Sequence, residues 1–454
     1  MQTLPSNRNL LREDVGTRFI ASAGTKQIPV LDGIRAIACL SVLVYHVNLV
    51  STGFHLWKPL LNIHTVTGTL TFFAASIAWC GEEGVSLFFV LSGFLLFLPF
   101  AKALLFGSPW PSLRRFYIRR FFRILPGYYT VLFLIALFFH PKFLHPVNWH
   151  YLWIFLTFRM NYSLSQLLDG PFWTLAIEFQ FYLLLPILAW LFSLLVCRGT
   201  ARWRLLKLTL CLFLMIAWGL LTKYWGAHTS QLDFLIPHHV SIALKPYLYS
   251  DTSTYSEVFA VGMLACMVYT YTQYTDSWHI RMRRLSPLML TVGLALFSFL
   301  SLWHFYGFDT AAHHFATFPK SYVVFTFLDP HIPLLVAQYW GEWGTLAYAI
   351  SYGLCILALL YGSARLRRPF ESSPLRWVAS ISFSLYMWHI PFLGLFEKAV
   401  GHNLQQQGWG PLVEYGTLWC WTLVVIIPAS AMLYRWIEQS GIRLGERLIR
   451  KVKG

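Results

Sequence analysis

Apolar runs of nearly 20 residues recur along the whole chain, the length a helix needs to cross the hydrocarbon core of a bilayer. Segments such as Tyr129 to Phe139, YTVLFLIALFF, are apolar on every face, whereas a strand crossing as part of a barrel must alternate apolar and polar positions. The pattern therefore predicts an all-α fold, a polytopic transmembrane helical bundle of about ten spans. They fall at 31–50, 84–106, 124–140, 174–197, 205–222, 255–273, 286–305, 345–363, 377–398 and 415–437. The third is short and opens with Pro126 and Gly127. Segments 66–80 and 321–340 are apolar enough to be re-entrant or interfacial and would change the count. No internal repeat or low-complexity tract is visible.

Between the spans, basic residues are distributed unevenly. The segments on the side of the N-terminus carry 27 Lys and Arg, those on the opposite side carry 7, and Arg35 lies within the first span. Cytoplasmic loops are the ones enriched in Lys and Arg, so both termini are expected in the cytoplasm. Residues 1–27 are polar and contain no apolar core of a signal peptide. They read as a cytoplasmic tail, residues 28–438 as the transmembrane domain, and 439–454 as a basic cytoplasmic tail. Loops 51–83, 141–173, 223–254 and 306–344 face outward, and none is long enough for a separate enzymatic domain. Any chemistry is expected among the spans and their mouths.

Composition narrows the class. The chain of 454 residues is 57% hydrophobic and 12% charged, against about 25% charged in soluble domains, and its mean hydropathy is +0.54. A soluble enzyme and a disordered chain are both excluded. The net charge of +16 does not point to nucleic acid, because the basic residues sit in short loops between apolar spans. Seven scattered cysteines without a CxxC pair indicate neither a disulfide framework nor a thiolate zinc site. No bound cofactor or metal is expected.

Ionisable groups inside apolar spans are costly, about 2.5–3.5 kcal/mol each even on the lenient insertion scale, so they are the first candidates for chemistry. Arg35 and His46 lie eleven residues apart in the first span. They share a face, offset by about 20°, with roughly 16 Å of rise between them. Singly, each has a plain structural reading: Arg35 snorkelling beside Asp32, His46 as a packing histidine. Together on one face they point to function. Glu178, in the fourth span, sits about as far below the outer surface as His46 and is expected to orient and charge its imidazole, with a structural hydrogen bond to a neighbouring helix as the alternative. In the loop SLRRFYIRRFFR, Arg119, Arg120 and Arg123 form a cluster. It is either a topology signal on an interfacial helix or a set of guanidinium forks for a polyphosphate-bearing donor. Trp173, at the outer mouth, is a candidate substrate contact. Tyr386 and His389, three residues apart in mid-span, are candidate substrate contacts, with helix packing as the alternative. Ser92 lacks the strained elbow of a nucleophile. The pairs His238-His239 and His313-His314 lack a carboxylate pattern for metal.

Six segments, in order, resemble the acyltransferase family 3 proteins, integral-membrane O-acyltransferases. LDGIRAIACLSVLVYHV carries the R-x10-H spacing as Arg35 and His46, and GVSLFFVLSGFLL follows with the SGF element. FYIRRFFRILPGYY holds RxxR as Arg120 and Arg123, and FWTLAIEFQFYLLLP is similar to WSLxxE with Glu178 as the acid. SISFSLYMWHIPF matches SYxxYLxH with Ser382 and His389, and YRWIEQS resembles the terminal signature. Thr174, Phe383, Gln439 and Ser440 depart from the pattern. The resemblance spans roughly residues 28–438 and implies a membrane-bound O-acyltransferase of the cell membrane. That enzyme would move an acyl, chiefly acetyl, group from cytoplasmic acyl-CoA to a hydroxyl of a sugar, glycan or small metabolite. Under it, Arg119, Arg120 and Arg123 hold the CoA phosphates, and the thioester arm runs past Arg35. His46 is then the general base or a transient acyl carrier. The competing class is a transporter or flippase, and a third is a non-catalytic membrane scaffold.

Overall fold

The computed structural model describes residues 28–50, 65–160, 165–168, 170–227, 240, 254–312 and 340–451, and no strand occurs among them. The principal helices are α1 (Pro29–Val50), α2 (Val66–Trp79), α3 (Gly84–Phe106), α4 (Leu113–Phe138), α5 (Trp149–Leu156) and α6 (Phe172–Val196). They continue as α7 (Ala201–Ala227), α8 (Ser256–Gln273), α9 (Asp276–Ala312), α10 (Trp340–Tyr361), α11 (Ser373–Phe396) and the long C-terminal rod α12 (Pro411–Lys451). Among the described residues, nine helical segments are long and apolar enough to cross a membrane. The chain is a multi-pass membrane protein. His238, His239, His313, His314 and residues 321–339 lie outside the described residues.

The segment expected near 66–80 forms α2, which continues through a 3₁₀ turn at Cys80–Glu83 into α3. The basic loop before the third span is not a separate surface helix. It is the first half of α4, which runs unbroken through Pro126. The sixth expected span is α8, which is helical but not among the nine. Its polar positions, Glu257, Thr270 and Thr272, are buried, and it packs against α3, α7, α9 and α10. It is a helix sheathed by other helices, which explains why an apolar-length criterion alone misses it. Lipid instead meets the outer faces of α6 and α7, where Leu184, Ile187, Leu191, Leu195, Leu210 and Leu214 are exposed.

Within lipid, apolar side chains gain little by leaving one apolar medium for another, so helices associate by close packing and polar contacts. Both are present around α8. A Cβ on Gly93 of α3 would lie 2.3 Å from the carbonyl oxygen of Phe259, and one on Gly262 of α8 would lie 2.1 Å from that of Val90. Only glycine lets these two backbones meet. Lys223 of α7 donates to Glu257 of α8 and to Thr345 of α10, joining three helices through one ammonium group. Glu257 is 0% exposed, and Gly219 leaves room for its second carboxylate oxygen, which a Cβ would approach to 2.3 Å.

Breaking a buried ion pair by removing one partner strands the other charge, a loss of about 3–5 kcal/mol. Lys223→Met is expected to lower stability by that amount, and adding Glu257→Gln to recover a large part of it. Unfolding of the purified protein in mixed micelles, followed across single and double variants, measures both.

Candidate active site

Helix geometry brings the sequence-predicted cations together. Arg120 and Arg123 stand three residues apart on one face of α4 and line a part-open cavity. Arg35 of α1, Ser92 of α3, Thr174, Glu178 and Tyr182 of α6, and Ser382 and Tyr386 of α11 complete its polar lining. Arg119, one residue off that face, is not part of it. Its Nε donates to Glu446 of α12 at 3.1 Å, on an exposed surface. The three expected donor-binding arginines thus divide: two face the cavity, and the third points away because neighbouring helical residues diverge by about 100°.

Arg35 is held by Asp32 at 3.5 Å. By contrast, the guanidinium groups of Arg120 and Arg123 make no hydrogen bond or ion pair among the described residues. Arg120 lies 5.8 Å over the ring of Tyr182, both guanidinium groups remain within Coulombic reach of Arg35, and Arg120 within that of Glu178. Glu178 is engaged otherwise. One of its oxygens accepts from the Ser92 hydroxyl at 2.6 Å and from the Tyr182 hydroxyl. The lining therefore presents a surplus of unused cationic N–H donors, the arrangement that suits a phosphorylated anion.

His46 is placed elsewhere. Its Nδ1 lies 2.9 Å from the carbonyl oxygen of Val42 and 3.4 Å from Nε2 of His389 on α11. The Nδ1 of His389 in turn lies 2.6 Å from the carbonyl oxygen of Tyr386. No hydrogen bond links His46 to Glu178 among the described residues, so the pairing expected from their matched depths is not made. Glu178 instead lines the cavity with Arg35, which stands roughly 16 Å of helical rise from His46 on α1.

The remaining candidates also find positions. Tyr386 faces the cavity, and its hydroxyl shares a 2.8 Å hydrogen bond with Thr174. His389 is buried beyond Tyr386, away from the lining. Trp173 packs its ring against Tyr255 at 5.9 Å and does not line the cavity. Sequence reasoning missed the roles of Ser92 and Tyr182 as partners of Glu178. Tyr182 was open to discovery as the i+4 neighbour of a buried acid. It also passed over Glu438 of α12, which is buried, accepts from Ser384 at 3.1 Å and lies within Coulombic reach of Arg123 and Arg35.

A helical bundle with a cation-lined chamber inside it places the chain in a class, the multi-pass membrane proteins with polar groups gathered among their spans. Residues 28–433 match the acyltransferase-domain family, and the chain belongs to that family of membrane acyltransferases. It is 27% identical over 390 residues to the peptidoglycan O-acetyltransferase OatA of Listeria monocytogenes, covering 82% of this chain and 50% of that protein. It is 25% identical over 433 residues to the putative peptidoglycan O-acetyltransferase YrhL of Bacillus subtilis, covering 91% of this chain and 55% of that one. The chain spans about half the length of these relatives. No solved structure matches it.

Hydrogen bonds to a charged group are worth roughly 1.5–3 kcal/mol. Tyr182→Phe removes one of the two donors to Glu178 and is expected to lower stability by that order. Tyr182→Phe with Ser92→Ala should cost more than the sum of the single losses, since either single variant leaves one donor on that oxygen and only the double variant strips it of both. A double-mutant cycle on the unfolding free energy checks it.

Proposed function

We propose that this protein moves an acyl group, chiefly acetyl, from coenzyme A to a hydroxyl of a glycan or another carbohydrate. The observation that carries the reading is the pair of guanidinium groups, Arg120 and Arg123, that line a part-open cavity and make no hydrogen bond or ion pair among the described residues. Ordinary topology-setting arginines lie against headgroups and water. These two sit in the bundle with Arg35 and a hydroxyl-held carboxylate. The charge bias of the loops supports an arrangement in which this mouth faces the cytoplasm, where acyl-CoA is found. The named relatives support a glycan acceptor.

On this reading the phosphates rest on Arg120 and Arg123, and Glu178 with its hydroxyl donors fixes the wall beside them. The donor arm extends past Arg35 toward His46, a rise of roughly 16 Å along α1. His46 accepts the proton of the acceptor hydroxyl as that oxygen attacks the thioester carbonyl carbon. The carbon–sulfur bond breaks, and the departing thiolate takes the proton from the imidazolium. The products are the O-acyl ester and free CoA thiol, and no proton is gained or lost overall.

Replacing Arg120 or Arg123 by Gln is expected to raise the donor KM about ten- to a hundredfold with a smaller change in kcat, from the loss of one charge-assisted hydrogen bond. Arg119→Gln, on the outer side of α4, is expected to leave it unchanged. Steady-state transfer from labelled acetyl-CoA to a soluble glycan, with protein in nanodiscs, reads these values. An unchanged donor KM in both Arg120 and Arg123 variants overturns the donor site, and a thioester left intact before a broad acceptor panel overturns the reaction.

Sidedness is tested separately. A cysteine placed at exposed Ser112, ahead of α4, is expected to resist an impermeant maleimide in intact cells and to react after permeabilisation. The exposed native Cys197 and Cys420 are first replaced by serine. Labelling of intact cells puts the arginine-lined mouth on the outer side.

A further inference from the structure

Carbonyl oxygens only accept hydrogen bonds, and this decides the tautomers of two histidines. The Nδ1 of His389, 2.6 Å from the carbonyl oxygen of Tyr386, must carry hydrogen, which leaves the lone pair of the neutral ring on Nε2. The Nδ1 of His46, 2.9 Å from the carbonyl oxygen of Val42, must carry hydrogen as well. That same N–H faces Nε2 of His389 at 3.4 Å, a long second branch of a shared bond. The two rings stand 4.9 Å apart at 71°, an edge-on placement that aims one ring's N–H at the other's lone pair. The Nε2 of His46 is therefore left with its lone pair.

We infer that His389 is the positioning residue of His46. Accepting from Nδ1–H, it holds the imidazole in the tautomer and orientation that offer Nε2 to the acceptor hydroxyl. The inference rests on the acyl-transfer reading for its function, not for its geometry. His389 is 1% exposed, and its other nitrogen is committed to the Tyr386 carbonyl. It thus acts through His46 and not on substrate, unlike the substrate contact expected from its sequence position. In the familiar arrangement a carboxylate stands behind the base. Here Glu178 is tied to Ser92 and Tyr182, and a second imidazole fills that place.

Three variants and one spectrum test it. His46→Ala abolishes transfer if the acyl-transfer reading holds. His389→Leu, which cannot accept a hydrogen bond, is expected to lower kcat about a hundredfold, within the range supplied by a positioned general base, with the donor KM within about twofold of the parent. His389→Gln keeps a donor and an acceptor and is expected to recover activity to within about tenfold of the parent, as no packing-only role would. Nitrogen-15 spectra of histidine-labelled protein in nanodiscs, with the His46 signal assigned by difference from His46→Ala, should show His46 protonated at Nδ1 in the neutral form. The spectrum does not depend on turnover: an inactive parent with the expected tautomer counts against the acyl-transfer reading alone. A parental kcat in His389→Leu, a folded His389→Gln as inactive as His389→Leu, or His46 protonated at Nε2 each overturns the positioning role.

Discussion

Charge inside a membrane must be answered by charge or by hydrogen bonds, and the architecture around the cavity follows from how three guanidinium groups meet that demand. Arg35 is answered locally by Asp32, one turn away on the same helix. Arg120 has Glu178 within Coulombic reach, and Arg123 has Glu438. Glu178 spends one oxygen on two hydroxyls. The consequence is a chamber in which two guanidinium groups make no hydrogen bond or ion pair among the described residues, a state that favours an anion able to supply one.

Much of this was legible in the residues. The face shared by Arg35 and His46 follows from helical repeat alone, as does the i, i+3 spacing that turns Arg120 and Arg123 together. The same arithmetic, applied one step further, separates Arg119, whose partner Glu446 lies 327 residues away. What could not be read was depth and adjacency. Glu178 was placed by counting from the helix end, and the structure sets it beside Arg35 and not beside His46. His46 and His389 are 343 residues apart, and no local pattern announces that α1 and α11 pack together. The helix α8 is read from the sequence as a span, yet it is not among the nine helices apolar enough to cross unaided, and its neighbours sheathe it. Its polar side chains are tolerated for that reason.

The wall that carries the arginines is braced from an unexpected quarter. Pro126 has no N–H, so the carbonyl of Phe122 one turn earlier loses its helical partner. Gly441 of α12 sits against that position, where a Cβ would fall 2.6 Å from the Phe122 oxygen and 2.8 Å from the proline ring. Gly445, one turn on, lies against the Phe122 side chain. The Arg119–Glu446 pair closes the same seam from its exposed side. The tail that reads in sequence as a basic appendage is thus packed lengthwise on the helix that lines the chamber, and it fixes the azimuth of Arg120 and Arg123.

Three π turns, at Glu397–Gly401, Thr422–Ile426 and Tyr434–Glu438, interrupt the last two rods. Each holds a residue more than the α turns beside it. Removing one residue from Thr422–Ile426 converts that turn to ordinary α geometry and leaves the helices above and below on their existing faces. The same deletion between Arg35 and His46 has no such slack to draw on and rotates one end of α1 by about 100° against the other. Length variation is therefore absorbed by the C-terminal rods and forbidden to the first, so the chain is elastic in register at the edge of the bundle and rigid at its centre.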